Sequence, residues 1–320
     1  MMKVLADNDG MNGAIVIDKP SGMTSYEVVE KVKKISGMRK AGHTGTLDPL
    51  ATGVLPVCLN EATKLVRFLA GDNKEYRGTL LLGVRTDTFD TEGKVLSRGT
   101  PFVSRQQVEE VLKRFTGRVK QRAPRYSAVK VGGKALYKWT RQGIDVTPPE
   151  REVEIYAIQI DEFSLPEVRF TLSCSKGTYV RTLCADIGNM LGCGGCMSAL
   201  RRTRSGMFAL DKAVTLEGLA QCVKEGALFE QMIPLPELLP GLPMIEVDDA
   251  LAEKIKNGYQ PNEDLLFADQ NPFLVEGDMV KIMRGGRRLV AVATMTRRFE
   301  VSDVKGEKNQ PLKILRVFNN

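Results

Sequence analysis

Residues 42–56 limit the possible folds most strongly, because three glycines and two prolines fall among these fifteen residues. Such a stretch forms turns and irregular backbone rather than a helix. Asp48 stands directly before Pro49, and a residue before proline is disfavoured in helical conformation. We therefore expect the Asp48 side chain to project from a turn or from extended backbone. His43, the only histidine of the chain, lies in the same stretch. An ordinary structural explanation stays open for Asp48, since aspartate before proline often initiates a turn.

The charge balance suggests an anionic partner. The 320 residues include 46 lysines and arginines against 39 aspartates and glutamates, which gives a net charge of +7 and an isoelectric point near 9.0. A nucleic acid is one such partner, although a basic protein without one would have the same totals. The length allows one large domain and a small one.

The sequence shows neither a secretory signal nor a membrane span. Residues 1–10 lack the apolar segment of a signal peptide, and the longest apolar run, residues 53–59, is too short to cross a bilayer. We therefore expect a cytoplasmic protein without membrane contact and with reduced cysteines. Cys193 and Cys196 have the spacing of a zinc half-site, but no second C-x-x-C exists. We predict no metal, and a zinc enzyme remains an alternative.

Strand and helix patterns alternate along the chain. Capping boxes of Thr24 with Glu27 and of Ser104 with Gln107 predict the starts of two helices. Apolar spacing predicts two more helical segments, at 61–69 and from about 180 to 191. Runs of branched residues or alternating polarity predict strands at 12–18, 74–83, 168–174, 280–283, 289–293 and 312–318.

Two segments are distinctive in composition. Between residues 118 and 138, seven cations are interleaved with aromatic residues around Gly132 and Gly133, which is typical either of a loop that grips nucleic acid or of a solvated hairpin. Four prolines between residues 234 and 243 predict a linker or domain edge. The β-rich segment beyond it carries five arginines that could contact RNA: Arg284, Arg287, Arg288, Arg297 and Arg298.

Several segments together resemble one known family. Residues 41–55 (AGHTGTLDPLATGVL) resemble the catalytic motif of the TruB family, the stand-alone bacterial tRNA pseudouridine-55 synthases. Residues 176–183 (KGTYVRTL) match a second motif of the family, and 126–130 (YSAVK) with 133–137 (GKALY) resemble its RNA-binding insertion. The resemblance implies an α+β fold: a mixed, mainly antiparallel sheet in a catalytic domain, and a small β-rich, PUA-like C-terminal domain. The expected domains are 1–243, with an RNA-gripping insertion at about 118–146, and 244–320.

The resemblance also implies a set of site residues. Asp48 would be the essential carboxylate, and Arg181 would pair with it and lower its pKa. The substrate-binding residues would be His43, Tyr76, Tyr179, Arg181 and Leu200, with His43 as a positioning group rather than a base. Residues with the weaker expectation of RNA contact are Lys19, Arg125, Lys130, Arg201 and Arg202. For Lys19 the sequence leaves a structural alternative open, in which its turn braces the Asp48 loop.

The implied reaction converts a specific uridine in the tRNA T-arm to pseudouridine after the base is flipped out. It needs no metal or organic cofactor and, in the stand-alone form, no guide RNA. We expect a monomer with tRNA as its partner. Two further alternatives are a tRNA-folding chaperone, in which binding matters more than chemistry, and a guide-RNA-dependent synthase.

Overall fold

The structure is a computed structural model that describes residues 11–71, 73–261, 274–296 and 312–319. Within these ranges a ten-stranded sheet organises the larger part of the chain. Its strands are β1 (Gly13–Lys19), β2 (Ala41–His43), β3 (Thr52–Leu59), β4 (Lys74–Leu82), β7 (Gly117–Arg122), β10 (Glu150–Ser164), β11 (Glu167–Cys174), β12 (Gly195–Ser205), β13 (Phe208–Ala209) and β14 (Ile233–Pro234). They follow the order β14-β1-β3-β12-β4-β11-β10-β7, with β2 beside β3 and β13 beside β12. Neighbouring strands are antiparallel except β3 and β12, so the predicted mainly antiparallel fold is confirmed.

Two small hairpins complete this part: β5 (Val84–Thr86) with β6 (Val95–Arg98), and β8 (Lys130–Val131) with β9 (Lys134–Ala135). The helices are α1 (Ser25–Ser36), α2 (Val66–Leu69), α3 (Arg105–Phe115), α4 (Leu136–Arg141), α5 (Val180–Met190), α6 (Leu216–Lys224) and α7 (Asp249–Lys256), with 3₁₀ turns at Asn60–Leu65, Leu210–Lys212, Leu228–Gln231 and Leu235–Leu238. Both predicted capping boxes are present, at the starts of α1 and α3. No helix in the described ranges is long and apolar enough to cross a membrane.

The helix predicted for residues 61–69 is wrong for most of its length. The segment is a 3₁₀ turn followed by the single turn of α2. It leaves β3 through Asn60, whose φ of 48° lies in the left-handed region, so the chain turns sharply there. A tight connector of this kind favours 3₁₀ over α-helical bonding.

The two faces of the large sheet bury different elements. One face packs against α1, α3, α5 and α6, for example through Val28, Val108, Leu183 and Leu219. The other face, around Val16, Val54 and Phe208, packs against residues of the C-terminal part such as Leu289 and Phe318. The proline-containing segment contributes the buried Leu235 and Leu238 to this second cluster.

The C-terminal part has its own four-stranded sheet, in the order β15 (Met244–Val247), β16 (Met279–Arg284), β17 (Arg288–Met295) and β18 (Leu312–Val317). This confirms the expected small β-rich unit, while the boundary at 243 stays a proposal. Arg284 pairs with Asp249 at 2.5 Å, and Arg287 and Arg288 are exposed at the turn between β16 and β17. Arg297 and Arg298 lie outside the described residues.

The start of the basic segment is part of the large sheet. Three outward-facing side chains of β7, Arg118, Lys120 and Arg122, lie opposite glutamates of β10. Arg118 pairs with Glu152 at 4.0 Å and Arg122 with Glu150 at 3.7 Å. These cations therefore belong to a cross-strand charge ladder. The irregular insertion, with β8, β9 and α4, begins only after β7, at Ala123.

Candidate active site

Asp48 and Arg181 meet at a cavity of about 730 Å³. Arg181 lies in the first turn of α5 and reaches the loop that follows β2. Its Nε atom is 2.7 Å from one carboxylate oxygen of Asp48, and its Nη2 donates to the other oxygen at 3.0 Å. The guanidinium therefore contacts both carboxylate oxygens, with one charge-assisted hydrogen bond from Nη2 and a close ion-pair contact from Nε. The side chain of Asp48 therefore binds Arg181, while its backbone carbonyl accepts from the Ala51 amide to close the turn.

Arg181 has three further acceptors and is almost fully enclosed, with 5% of its side chain exposed. Its Nη1 donates to the Asp90 carboxylate and to the Thr88 carbonyl, both at 3.2 Å. Its Nη2 also donates to the Tyr126 carbonyl of the insertion at 3.1 Å. A cation in the first turn of a helix is opposed by the helix dipole, which is why a carboxylate partner was expected. The structure supplies two, and no sequence signal had pointed to Asp90.

Burial and the expected effect of Arg181 act in opposite directions on the pKa of Asp48. Burial raises the pKa of Asp48 above its ordinary value, and the nearby charge of Asp90 raises it further. Arg181 and, more weakly, Lys19 oppose this shift. Arg181 therefore lowers the pKa of Asp48, as expected, but desolvation outweighs it and the net direction is upward. The net direction could not be predicted from the sequence, because a sequence does not show how much water the site excludes.

Two side chains, those of Lys19 and Ser25, hold the loop that carries Asp48 through hydrogen bonds to its backbone. The Lys19 ammonium, at the end of β1, donates to the carbonyls of Pro20, Pro49 and Ala51 at 2.8, 3.1 and 2.7 Å. The Ser25 hydroxyl accepts from the Leu47 amide at 2.8 Å and donates to its carbonyl at 3.0 Å. Burial lowers the pKa of Lys19 to about 8. These contacts favour the structural alternative for Lys19.

Arg202 is likewise inside the protein, with 1% of its surface exposed. Its Nε donates to the Val54 carbonyl at 2.7 Å and its Nη2 to the Gly45 carbonyl at 3.0 Å. Burial and hydrogen bonds to backbone carbonyls give Lys19 and Arg202 a structural role, and Arg202 also lines the cavity. Contact of either residue with RNA stays a prediction. Arg201 is partly exposed and pairs with Asp18 at 2.7 Å.

Four of the expected substrate-binding residues line the same cavity as Asp48: Arg181, described above, and Tyr76, Tyr179 and Leu200. The last three come from β4, from the residue before α5 and from β12. Tyr76 and Leu200 are also part of the core, each with 7% of its surface exposed, so each combines packing with a position at the cavity wall.

His43 is the last residue of β2 and does not itself line the cavity, whereas the next residue, Thr44, does. Burial lowers the pKa of His43, and the charge of Arg202 lowers it further. The imidazole is therefore neutral near neutral pH and carries no charge toward the site.

The insertion contributes Tyr126, Tyr137 and Arg141 to the cavity lining. Two of its cations stack on aromatic rings: Lys134 lies 4.1 Å from the Trp139 ring centre, and Arg141 lies 5.5 Å from that of Tyr137. Arg125 and Lys130 are exposed outside the cavity lining, and Arg125 pairs with Asp145 at 3.0 Å. The insertion thus adds one cation, Arg141, and two aromatic rings, Tyr126 and Tyr137, to the cavity lining.

Among the residues that the structure describes, the pair Cys193 and Cys196 is not joined by a third metal ligand. Cys196 is buried in β12, and Cys193 is half-buried just before this strand. Over the ranges that the structure describes, no three histidine, cysteine, aspartate or glutamate side chains form a group that could hold a metal ion. The donor set of the zinc alternative is therefore incomplete among these residues.

Comparisons with known proteins agree with this geometry. Residues 33–180 match the model of the TruB family pseudouridylate synthase N-terminal domain, and residues 181–240 match that of the tRNA pseudouridylate synthase B C-terminal domain. A tRNA pseudouridine synthase B of Syntrophus aciditrophicus is 49% identical, covering 97% of this chain and 99% of the relative. One of Geobacter sulfurreducens is 42% identical, covering 97% and 100%. A chain in the crystal structure of a Cbf5-Nop10-Gar1 complex is similar with a TM-score of 0.73 and 31% identity, over 95% of this chain and 84% of that one. The protein belongs to the TruB family of pseudouridylate synthases.

Proposed function

We propose that this protein isomerises one uridine in the T-arm of tRNA to pseudouridine and that Asp48 is its essential carboxylate. The relatives named tRNA pseudouridine synthase B support tRNA as the substrate. The single observation that supports the role of Asp48 is its ion pair, through both carboxylate oxygens, with the buried Arg181 at the wall of a cavity of about 730 Å³.

The reaction needs one carboxylate close to the sugar. The bond between N1 of uracil and C1′ of the ribose breaks, the base rotates, and a bond forms between C5 and C1′. The C5 proton leaves and N1 gains a proton, so the reaction has no net redox change. Asp48 acts either on C1′ or as the base that takes the C2′ proton. Arg181 holds the carboxylate in one orientation, which is the main requirement for either role.

Access to C1′ requires the uridine to leave its stack, at a cost of about a few kcal/mol. The cavity offers the flipped base an aromatic ring at Tyr76 and an apolar side chain at Leu200, with Tyr179 on the same wall. Stacking on such rings offsets part of the cost of unstacking. His43 acts as a positioning group next to this space.

We propose that the insertion grips the T-arm, because it brings Arg141 and Tyr137 to the cavity mouth. Exposed Arg125 and Lys130 contact phosphates further out. Since one chain supplies all of these contacts, a monomer suffices and no guide RNA is required. The C-terminal unit, residues 244–320, is a second RNA contact through the exposed turn at Arg287 and Arg288.

The test uses unmodified tRNA transcript labelled with tritium at uracil C5. Purified protein alone should release the label, and Asp48→Asn should abolish release, because an amide can neither attack C1′ nor remove the C2′ proton. Asp161→Asn is the matched control, since Asp161 is exposed, accepts a hydrogen bond from the Thr171 hydroxyl at 2.8 Å and does not line the cavity of Asp48. The proposal is wrong if the wild-type protein releases no label from any tRNA. The chaperone alternative would be favoured if Asp48→Asn refolds tRNA as well as the wild-type protein does and cells that carry this variant show no defect.

A further inference from the structure

Gln121 binds the backbone of Tyr179 through both ends of its side-chain amide. The Tyr179 N–H donates to Oε1 of Gln121 at 3.0 Å, and Nε2 of Gln121 donates to the Tyr179 carbonyl at 3.4 Å. Gln121 is 2% exposed, so water does not compete for these groups. The side chain thus reproduces the paired hydrogen bonds that a neighbouring antiparallel strand would make.

Tyr179 occupies a position where such support matters. It is the N-cap residue of α5, and no side chain caps this helix end. The N–H groups at a helix start have no partner within the helix, so they need one from outside it. The residue two positions after Tyr179 is Arg181. Any displacement of Tyr179 therefore moves both a cavity-lining ring and the guanidinium that holds Asp48.

Two neighbouring contacts strengthen the same junction. Arg151 lies directly opposite Gln121 across β7 and β10, and its guanidinium lies 5.2 Å from the centre of the Tyr179 ring. The Thr182 hydroxyl donates to the Arg122 carbonyl at 3.3 Å. Strand β7 is thus joined to the first turn of α5 just before the chain enters the insertion.

We propose that Gln121 is a positioning residue for the isomerisation: it sets the location of Tyr179 and, through the first turn of α5, of Arg181. This inference rests on the proposed function for its kinetic consequences. A misplacement of about 1 Å at such a site costs up to roughly 100-fold in rate. Gln121→Met keeps the side-chain volume and removes both hydrogen bonds. Gln121→Glu keeps the acceptor for the Tyr179 N–H and removes the donor.

The experiment measures tritium release from tRNA under single-turnover conditions for wild type, Gln121→Met and Gln121→Glu. We expect the rate constant to fall about 10-fold to 100-fold in Gln121→Met and at least as far in Gln121→Glu, whose buried carboxylate would face the Tyr179 carbonyl, with little change in tRNA affinity. Ser36→Ala is the control, because Ser36 is fully buried and donates to the Val32 carbonyl at the far end of α1. It should lower thermal stability without changing the rate constant.

A double-mutant cycle and hydrogen exchange separate positioning from general destabilisation. If Gln121 acts through Tyr179, Gln121→Met should cost far less in a Tyr179→Leu background than in wild type. Amide exchange at residues 179–182 should accelerate in Gln121→Met and stay unchanged in Ser36→Ala. Additive losses, a rate constant like that of Ser36→Ala, or unchanged exchange would each overturn the proposal. If the wild-type protein releases no tritium, the proposed function fails, and the exchange result alone still decides the role of Gln121.

Discussion

The contacts of Arg181 predict the result of Arg181→Lys. Arginine gives Asp48 two contacts, at 2.7 and 3.0 Å, and also bonds Asp90, Thr88 and Tyr126. Lysine keeps the charge, but its single ammonium cannot form the two parallel contacts to Asp48 and still reach the other three acceptors. The loss of one charge-assisted hydrogen bond costs about 1.5–3 kcal/mol. If Asp48 needs that bond in the transition state, the single-turnover rate constant should fall roughly 10-fold to 150-fold.

Tritium release measures this loss, at a temperature below the unfolding midpoint of the variant. Arg169→Lys is the control: Arg169 pairs with Glu162 at 2.7 Å, but the two side chains are 59% and 55% exposed, and such surface pairs contribute about 0–1 kcal/mol. It should leave the rate unchanged. A rate constant for Arg181→Lys equal to that of wild type would show that a positive charge beside Asp48 is enough for the reaction. The contacts of the guanidinium with both carboxylate oxygens would then not be required.

Two further predictions concern pH and backbone geometry. Because the pKa of Asp48 is raised, activity should decline on acidification at a higher pH than it would for an exposed aspartate. Asp90→Asn should move this decline to lower pH, because it removes a negative charge next to Asp48. A pH profile of Asp90→Asn that stays in place or moves to higher pH would contradict this electrostatic assignment. Gly53→Ala should destabilise the protein by about 2–4 kcal/mol in urea unfolding, because φ is +96° and the new Cβ would lie 2.2 Å from the Arg202 carbonyl oxygen. Gly99→Ala, where a Cβ meets no atom within 4 Å, is its control, and equal stability of the two variants would refute this reasoning.

The sequence by itself determined the features that depend on near neighbours. Thr24 with Glu27 and Ser104 with Gln107 start helices because a capping box needs only residues three positions apart. The alternation in residues 168–174 predicted which side chains of β11 are buried, because strand periodicity is local. The residues around Asp48 and Arg181 indicated the family by their order alone.

The tertiary structure decided which of the charged residues meet and which are enclosed. Arg181 lies 133 positions from Asp48 and 91 from Asp90, so nothing local to either aspartate showed that one guanidinium binds both. Lysine and arginine side chains are usually exposed, yet Lys19 and Arg202 are both buried and donate to backbone carbonyls. The net direction of the Asp48 pKa shift likewise could not be predicted from the sequence. Desolvation depends on every atom that surrounds a group, and only the packed chain brings those atoms together.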